Sequence, residues 1–223
     1  MKYLLVAVIG LLLGAAAAAA LVYVNPLAER TAPQPSATAR VLHYSLPEHV
    51  LAAAVGDDAR LLGHETGDDS LWEETIDRTA VLGLVLNDAE NRPAAIASRL
   101  IATSPETDLL LKGVVLTDHW LVTVVGEGTF FVHASSNAWP FLKQTVPVWY
   151  FDRPWKGPAE YWPTIGPGID DTASVVGLTG AFGGISGSAV EHYELKSLDR
   201  ERRFAAGKGE LYLDLSGPQV AAE

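Results

Sequence analysis

The residues best placed to do chemistry sit together near the C-terminus, in the alternating run "GSAVEHYEL" of residues 187–195. It holds Glu191, His192 and Tyr193 in succession, with His133 at the end of "TFFVH" as a further titratable group. A carboxyl, an imidazole and a phenol are the side chains of general acid–base work when an apolar cavity shifts their pKa values. Alternation divides them. Ser188, Val190, His192 and Glu194 fall on one face of an extended strand; Ala189, Glu191, Tyr193 and Leu195 fall on the other. In "LYLDL", Leu211, Leu213 and Leu215 likewise oppose Tyr212 and Asp214. His192 and Glu194 offer two potential ligands at i, i+2 with no third in view, and the acidic pairs at 57–58, 68–69 and 170–171 lack an EF-hand register, so no metal site is expected.

Immediately before this run stands "VVGLTGAFGGISG", with glycine at 177, 180, 183, 184 and 187. A phosphate cradle needs a G-x-G-x-x-G or P-loop spacing between a strand and a helix. Here the spacing differs, no lysine follows, and the next residues alternate with period two. A second reading places a nucleophile at Ser186, because "GGISGSAV" is similar to the active-serine segment of trypsin-like proteases, with His119 and Asp152 completing a triad. Against it, Ile185 stands where an acidic residue is usual, and His119 and Ser186 are too close in sequence for two barrels to enclose a triad. The third reading is structural. Gly177, Gly180, Gly184 and Gly187 permit close backbone approach and tight curvature in a closing sheet.

The elements that must position these groups are mostly strands. "TAVLGLVLNDAENRPAAIASRLI" and "KGVVLTDHWLVTVVGEGTFFVHA" each read as two apolar runs joined by a turn, and "QTVPVWYFD" as a further strand with Pro147 at an edge or bulge. "RPWKGPAEYWPTIGPG" is too rich in proline for regular structure and reads as a long loop. After the glycine segment come "GSAVEHYELKSL" and "FAAGKGELYLDL". Seven or eight antiparallel strands without intervening helical patterns predict a barrel or a sandwich.

The glycine segment also resembles the penultimate hairpin of the allene oxide cyclase and dirigent barrel superfamily, in the pattern Gly177, Thr179, Gly180, Phe182, Gly184, Gly187; the final apolar strand "GELYLDL" is similar to that family's end. The resemblance covers about 40 residues. It implies an all-β, eight-stranded antiparallel barrel with an apolar cavity that cyclises a lipid epoxide or guides phenolic coupling without a cofactor. The insertion of residues 153–171 departs from the family, and no catalytic residue carries over.

Domain organisation follows from composition. Residues 1–24 contain "YLLVAVIGLLLGAAAAAALVYV", 22 residues without charge, expected as a transmembrane anchor or a cleaved signal. Residues 25–40 read as a linker, 41–78 as short helices (the first capped by Ser45 and ended by Gly56) with an acidic loop, and 79–217 as the barrel. The barrel is therefore expected outside the cytoplasm, membrane-held, or secreted if the segment is cut. A net charge of −11 argues against nucleic acid, and the absence of cysteine removes disulfides and thiolate chemistry. Trp149, Phe151, Trp155 and Trp162 could form an aromatic mouth for an apolar small molecule. The expected function is binding or steering such a molecule, with a cyclase or isomerase and a ligand-free adaptor as alternatives; homo-oligomers remain open.

Overall fold

The computed structural model describes residues 2–24, 33–55, 79–151, 153–199 and 204–216. Its strands are β1 (Arg40–Leu46), β2 (Val50–Val55), β3 (Thr79–Asn87), β4 (Pro93–Thr103), β5 (Val115–Val124), β6 (Gly128–Asn137), β7 (Ala159–Tyr161), β8 (Thr164–Gly166), β9 (Ala173–Gly180), β10 (Ser186–Asp199) and β11 (Phe204–Ser216). Two helices accompany them, α1 (Lys2–Val24) and α2 (Trp139–Phe151). All pairings between strands are antiparallel.

Eight strands close on themselves. The order β1-β11-β10-β9-β6-β5-β4-β3 returns to its start where His43 pairs with Asn87, giving a barrel without free edges along that ring. β2 continues the path of β1 along β3, since partners run from His43↔Asn87 to Val55↔Ala80 in one direction. The helix expected from Ser45 is thus an interrupted strand. Pro47, Glu48 and His49 form the interruption, with His49 N–H donating to Ser45 O at 2.9 Å and Ser45 N–H to His49 Nδ1 at 3.1 Å. The rest of the helix and acidic loop expected over 41–78 lies outside the described residues from 56 onward.

The inward face of each strand is read from its alternation. Leu42 and Tyr44, Leu84 and Leu86, Ala95 and Ala97, Trp120, Val122 and Val124, Phe130, Val132 and Ala134, Val175, and Leu211 and Leu213 are all buried. The glycine segment closes one end of this barrel as a strand–turn–strand, β9 to β10. Gly177 lies where a Cβ would come within 1.6 Å of Phe182 O, so only glycine lets the turn fold back. Gly180 has φ +63° and abuts Glu127 O of the β5–β6 turn, which also accepts the Ala181 N–H at 2.7 Å. Phe182 then tucks inward, edge-on to Phe130 with ring centroids 5.2 Å apart, and forms the floor.

At the opposite end β6 runs into α2. The strand expected over "QTVPVWYFD" is helical, and Pro147 sits inside the helix. Asn137 Oδ1 accepts the Trp139 N–H at 2.9 Å and Pro140 occupies the first turn, a start signal that outweighs the later proline. Burial of Thr145 and Val148 holds the helix to the barrel. The proline-rich stretch after it is not wholly irregular, for it contributes β7 to β10 and β8 to β6.

For the N-terminal segment the structure has a helix, α1, whose leucines from Leu11 to Leu13 are exposed. Among the described residues no helix is long and apolar enough to cross a membrane.

Candidate functional site: an ionic cluster inside the barrel

Toward the α2 end the apolar interior gives way to four polar side chains from four strands. Arg99 follows Ala95 and Ala97 on the inward face of β4, Asp118 precedes Trp120 on β5, Glu191 lies on β10 and Tyr44 on β1. Arg99 Nε donates to both oxygens of Asp118 at 3.0 Å, and its Nη2 also reaches Oδ2. On its other side Nη1 and Nη2 donate to Oε1 and Oε2 of Glu191, each at 2.8 Å. The Tyr44 hydroxyl donates to Glu191 Oε1 and accepts from Arg99 Nη1 at 3.2 Å. The guanidinium lies 4.3 Å over the Trp120 ring, a cation–π contact that helps hold a charge away from water.

One guanidinium therefore faces two carboxyls. Asp118 and Glu191 side chains are 1% and 6% exposed, while Arg99 keeps 11%. In so dry a place an uncompensated second negative charge is expensive. Burial pushes the Glu191 carboxyl above the ordinary glutamate value of 4.5, although Arg99 pulls it down. Burial and then Glu191 push the Tyr44 phenol well up, so it stays a neutral donor. Burial opposes the charge on Arg99, but Asp118 and Glu191 outweigh it and its pKa is raised. The cluster thus sets a carboxyl whose pKa burial raises beside a buried cation and a neutral phenol.

Two glycines make room for the phenols. Gly209 pairs with Tyr44 on one side and Tyr193 on the other, and Gly207 pairs with Leu46 and Leu195. A Cβ on Gly209 would stand 1.9 Å from the Tyr44 ring, and one on Gly207 2.6 Å from the Tyr193 hydroxyl. Tyr193 is thus on the inward face with Glu191, its pKa raised by burial and then by Glu191. Tyr161 pairs with Tyr193 and is pushed by burial to about 12.

The other sequence candidates lie elsewhere. His192 is on the outer wall, under the Trp162 ring and bonded to Glu210, so it does not act beside Glu191. His133 also faces outward, 4.7 Å from the His119 ring. Burial and then His133 lower the pKa of His119. Ser186 is three strands away from His119 by way of β6 and β9, about 14 Å at the usual strand spacing. No serine–histidine pair forms there, and Asp152 lies outside the described residues. Trp149 packs edge-on to Phe141, Phe151 is 70% exposed at the end of α2, Trp155 covers Gly157, and Trp162 lies on the outer wall. Among the described residues, no group of three His, Asp or Glu side chains is arranged to hold a metal ion.

Around α2 and the proline-rich stretch several buried polar atoms have no hydrogen-bond partner among the described residues: Ser136 Oγ, Tyr161 OH, and the Nε1 of Trp139, Trp149 and Trp155. Groups of this kind usually meet water or a ligand.

No family model matches the chain, and no curated protein does. Among solved structures it is similar to one titled as a nonspecific heme-binding cyclase that catalyses [4+2] cycloaddition during neoabyssomicin biosynthesis, at 12% identity over 80% of this chain and 64% of that one, with a TM-score of 0.41. It is also similar to the Diels–Alderase AbmU from Streptomyces koyangensis, at 12% identity over 79% and 63%, with a TM-score of 0.41. The chain spans just under two thirds of the length of these proteins. Likeness of that degree carries no inference about reaction or ligand.

Proposed function

We propose that this barrel binds a predominantly apolar small molecule at its α2 end and that Glu191 serves it as proton donor or acceptor, in cyclase- or isomerase-like chemistry. The observation that carries the reading is the Arg99–Asp118–Glu191–Tyr44 cluster. An apolar replacement of a buried ionic group is often neutral or stabilising by about 1–4 kcal/mol, so stability alone gives little reason to keep one. Carbonyl or hydroxyl oxygens on the bound molecule would satisfy the Tyr161 hydroxyl and the indole N–H groups. The likeness of the glycine hairpin to the allene oxide cyclase and dirigent superfamily supports the same class of chemistry.

Extraction of the purified full-length protein with organic solvent, followed by mass spectrometry, tests it. One apolar compound should be recovered in near-stoichiometric amount from the wild type and in reduced amount from Glu191→Gln. Recovery of none, with the barrel folded, would favour the adaptor reading, which the filled lower half of the interior around Phe130 and Phe182 suits. Attachment to a membrane through residues 3–24 is a separate proposal, resting on the uncharged sequence of that segment. Resistance of the protein to alkaline carbonate extraction from cell membranes would support it; release into the wash would remove it.

A further inference from the structure

β10 is clasped from both sides at two successive residues. Along one edge it pairs with β11 throughout, but along the other it has β9 only as far as Ala189 and β7 only from Tyr193. Along that second edge none of the described strands lies beside residues 190–192. The Glu191 N–H, which a strand would have taken, donates instead to Thr164 Oγ1 at 2.9 Å. Thr164 is 1% exposed and comes from β8, anchored on β6 through Ser136↔Thr164. This one hydroxyl closes the gap in the wall at the residue that carries the working carboxyl.

Two residues earlier in the same segment, Trp162 lies on the other side of the wall. Its ring stacks on His192 at 4.5 Å and 28°, and leans on Tyr212 at 5.9 Å and 32°. His192 and Tyr212 are tied together beneath it by Glu210 Oε2, at 3.2 Å from His192 Nδ1 and 2.6 Å from the Tyr212 hydroxyl. His43 Nδ1 stands 3.4 Å from the other oxygen of Glu210, and Glu160 Oε2 is 3.9 Å from His192 Nε2. Segment 159–166 thus grips Glu191 from one side with Thr164 and its neighbour His192 from the other with Trp162.

We infer that Thr164 is a positioning residue for Glu191, and that the stack of Trp162 on His192 outside the barrel joins the pairing of β8 on β6 in keeping Thr164 in place. Loosening the outer stack loosens the backbone at Glu191 without disturbing the remaining wall. The importance of this for ligands rests on the function proposed above; the coupling itself does not.

Amide hydrogen exchange of the full-length chain, read residue by residue by NMR, decides it. Thr164→Val should speed exchange at Glu191 about tenfold, the worth of one buried hydrogen bond, and leave Val122 and Val132 on β5 and β6 unchanged. Thr164→Ser should restore protection. Trp162→Ala should speed Glu191 by a similar factor although Thr164 is intact, and should bring the titration midpoint of the Glu191 carboxyl down toward 4.5 as water enters. His192→Ala, which removes the other half of the stack, should give the same pattern. Wild-type protection of Glu191 in both Trp162→Ala and His192→Ala would overturn the inference. So would equal acceleration of Glu191, Val122 and Val132, which marks general loosening. Failure to recover a small molecule from the barrel would remove the proposed function and leave the exchange result standing.

Discussion

Tyr44 and Gly209 share one place in the barrel: they are paired across β1 and β11, and the tyrosine ring fills the space a Gly209 side chain would take. The hydroxyl at the end of that ring bonds to Glu191. A backbone position without a side chain thus sets the position of a donor to the interior carboxyl.

Gly209→Ala should therefore act at a distance. Its Cβ would overlap the Tyr44 ring at 1.9 Å, and Tyr44 is fully buried with little room to yield. Overpacking of this kind costs about 1–3 kcal/mol. Urea denaturation should show that loss, and the Tyr44–Glu191 hydrogen bond should lengthen in a crystal structure of the variant.

Arg99→Met should be worse. It leaves Asp118 and Glu191 buried without their cation, a change that costs about 3–5 kcal/mol. The triple replacement of Arg99 by Met with Asp118 and Glu191 by Leu removes the unpaired charge and should regain most of that loss in the same denaturation experiment. Recovery of stability by the triple variant, with loss of the bound compound, would separate a working cluster from a structural one.

The legible and illegible parts of the fold divide along a physical line. The glycine hairpin and the two-faced pattern of "AVEHYEL" are local signals, and the alternation alone puts Glu191 and His192 on opposite faces. Arg99 and Asp118 gave no such signal as a pair, because a single charge in an alternating strand ordinarily faces water. The clue for Arg99 was its register with Ala95 and Ala97, small residues suited to a crowded interior, and only pairing with β5 brings Asp118 to it. The meaning of Gly207 and Gly209 comes from their pairing with β1 and β10, which no local pattern shows. α2 was hidden because a short apolar run does not reveal its period, while its start signal, Asn137 before Pro140, was local and readable. In the segment that follows α2, Thr164 meets the barrel interior and Trp162 the outer wall, a division that no local pattern carries.

Stability should depend on pH in a direction set by Glu191. Its folded pKa is raised above 4.5, so between that value and the raised one the native state binds more protons than the unfolded state. Stability from this group is then present in full below 4.5 and falls as pH rises through the window. Glu191→Gln should abolish that part of the slope. Urea midpoints measured across the window in both proteins check it; parallel curves would show that Glu191 does not titrate there.

The proton on Glu191 can be observed directly. With 13C-labelled glutamate in the full-length protein, the side-chain carboxyl resonance of Glu191, assigned by its loss in Glu191→Gln, is followed against pH. A midpoint clearly above 4.5 is expected, with the carboxyl still partly protonated where ordinary glutamates are ionised. A midpoint at or below 4.5 would mean that Arg99 keeps both carboxyls ionised, and the cluster would then be a structural ion pair with no proton to give.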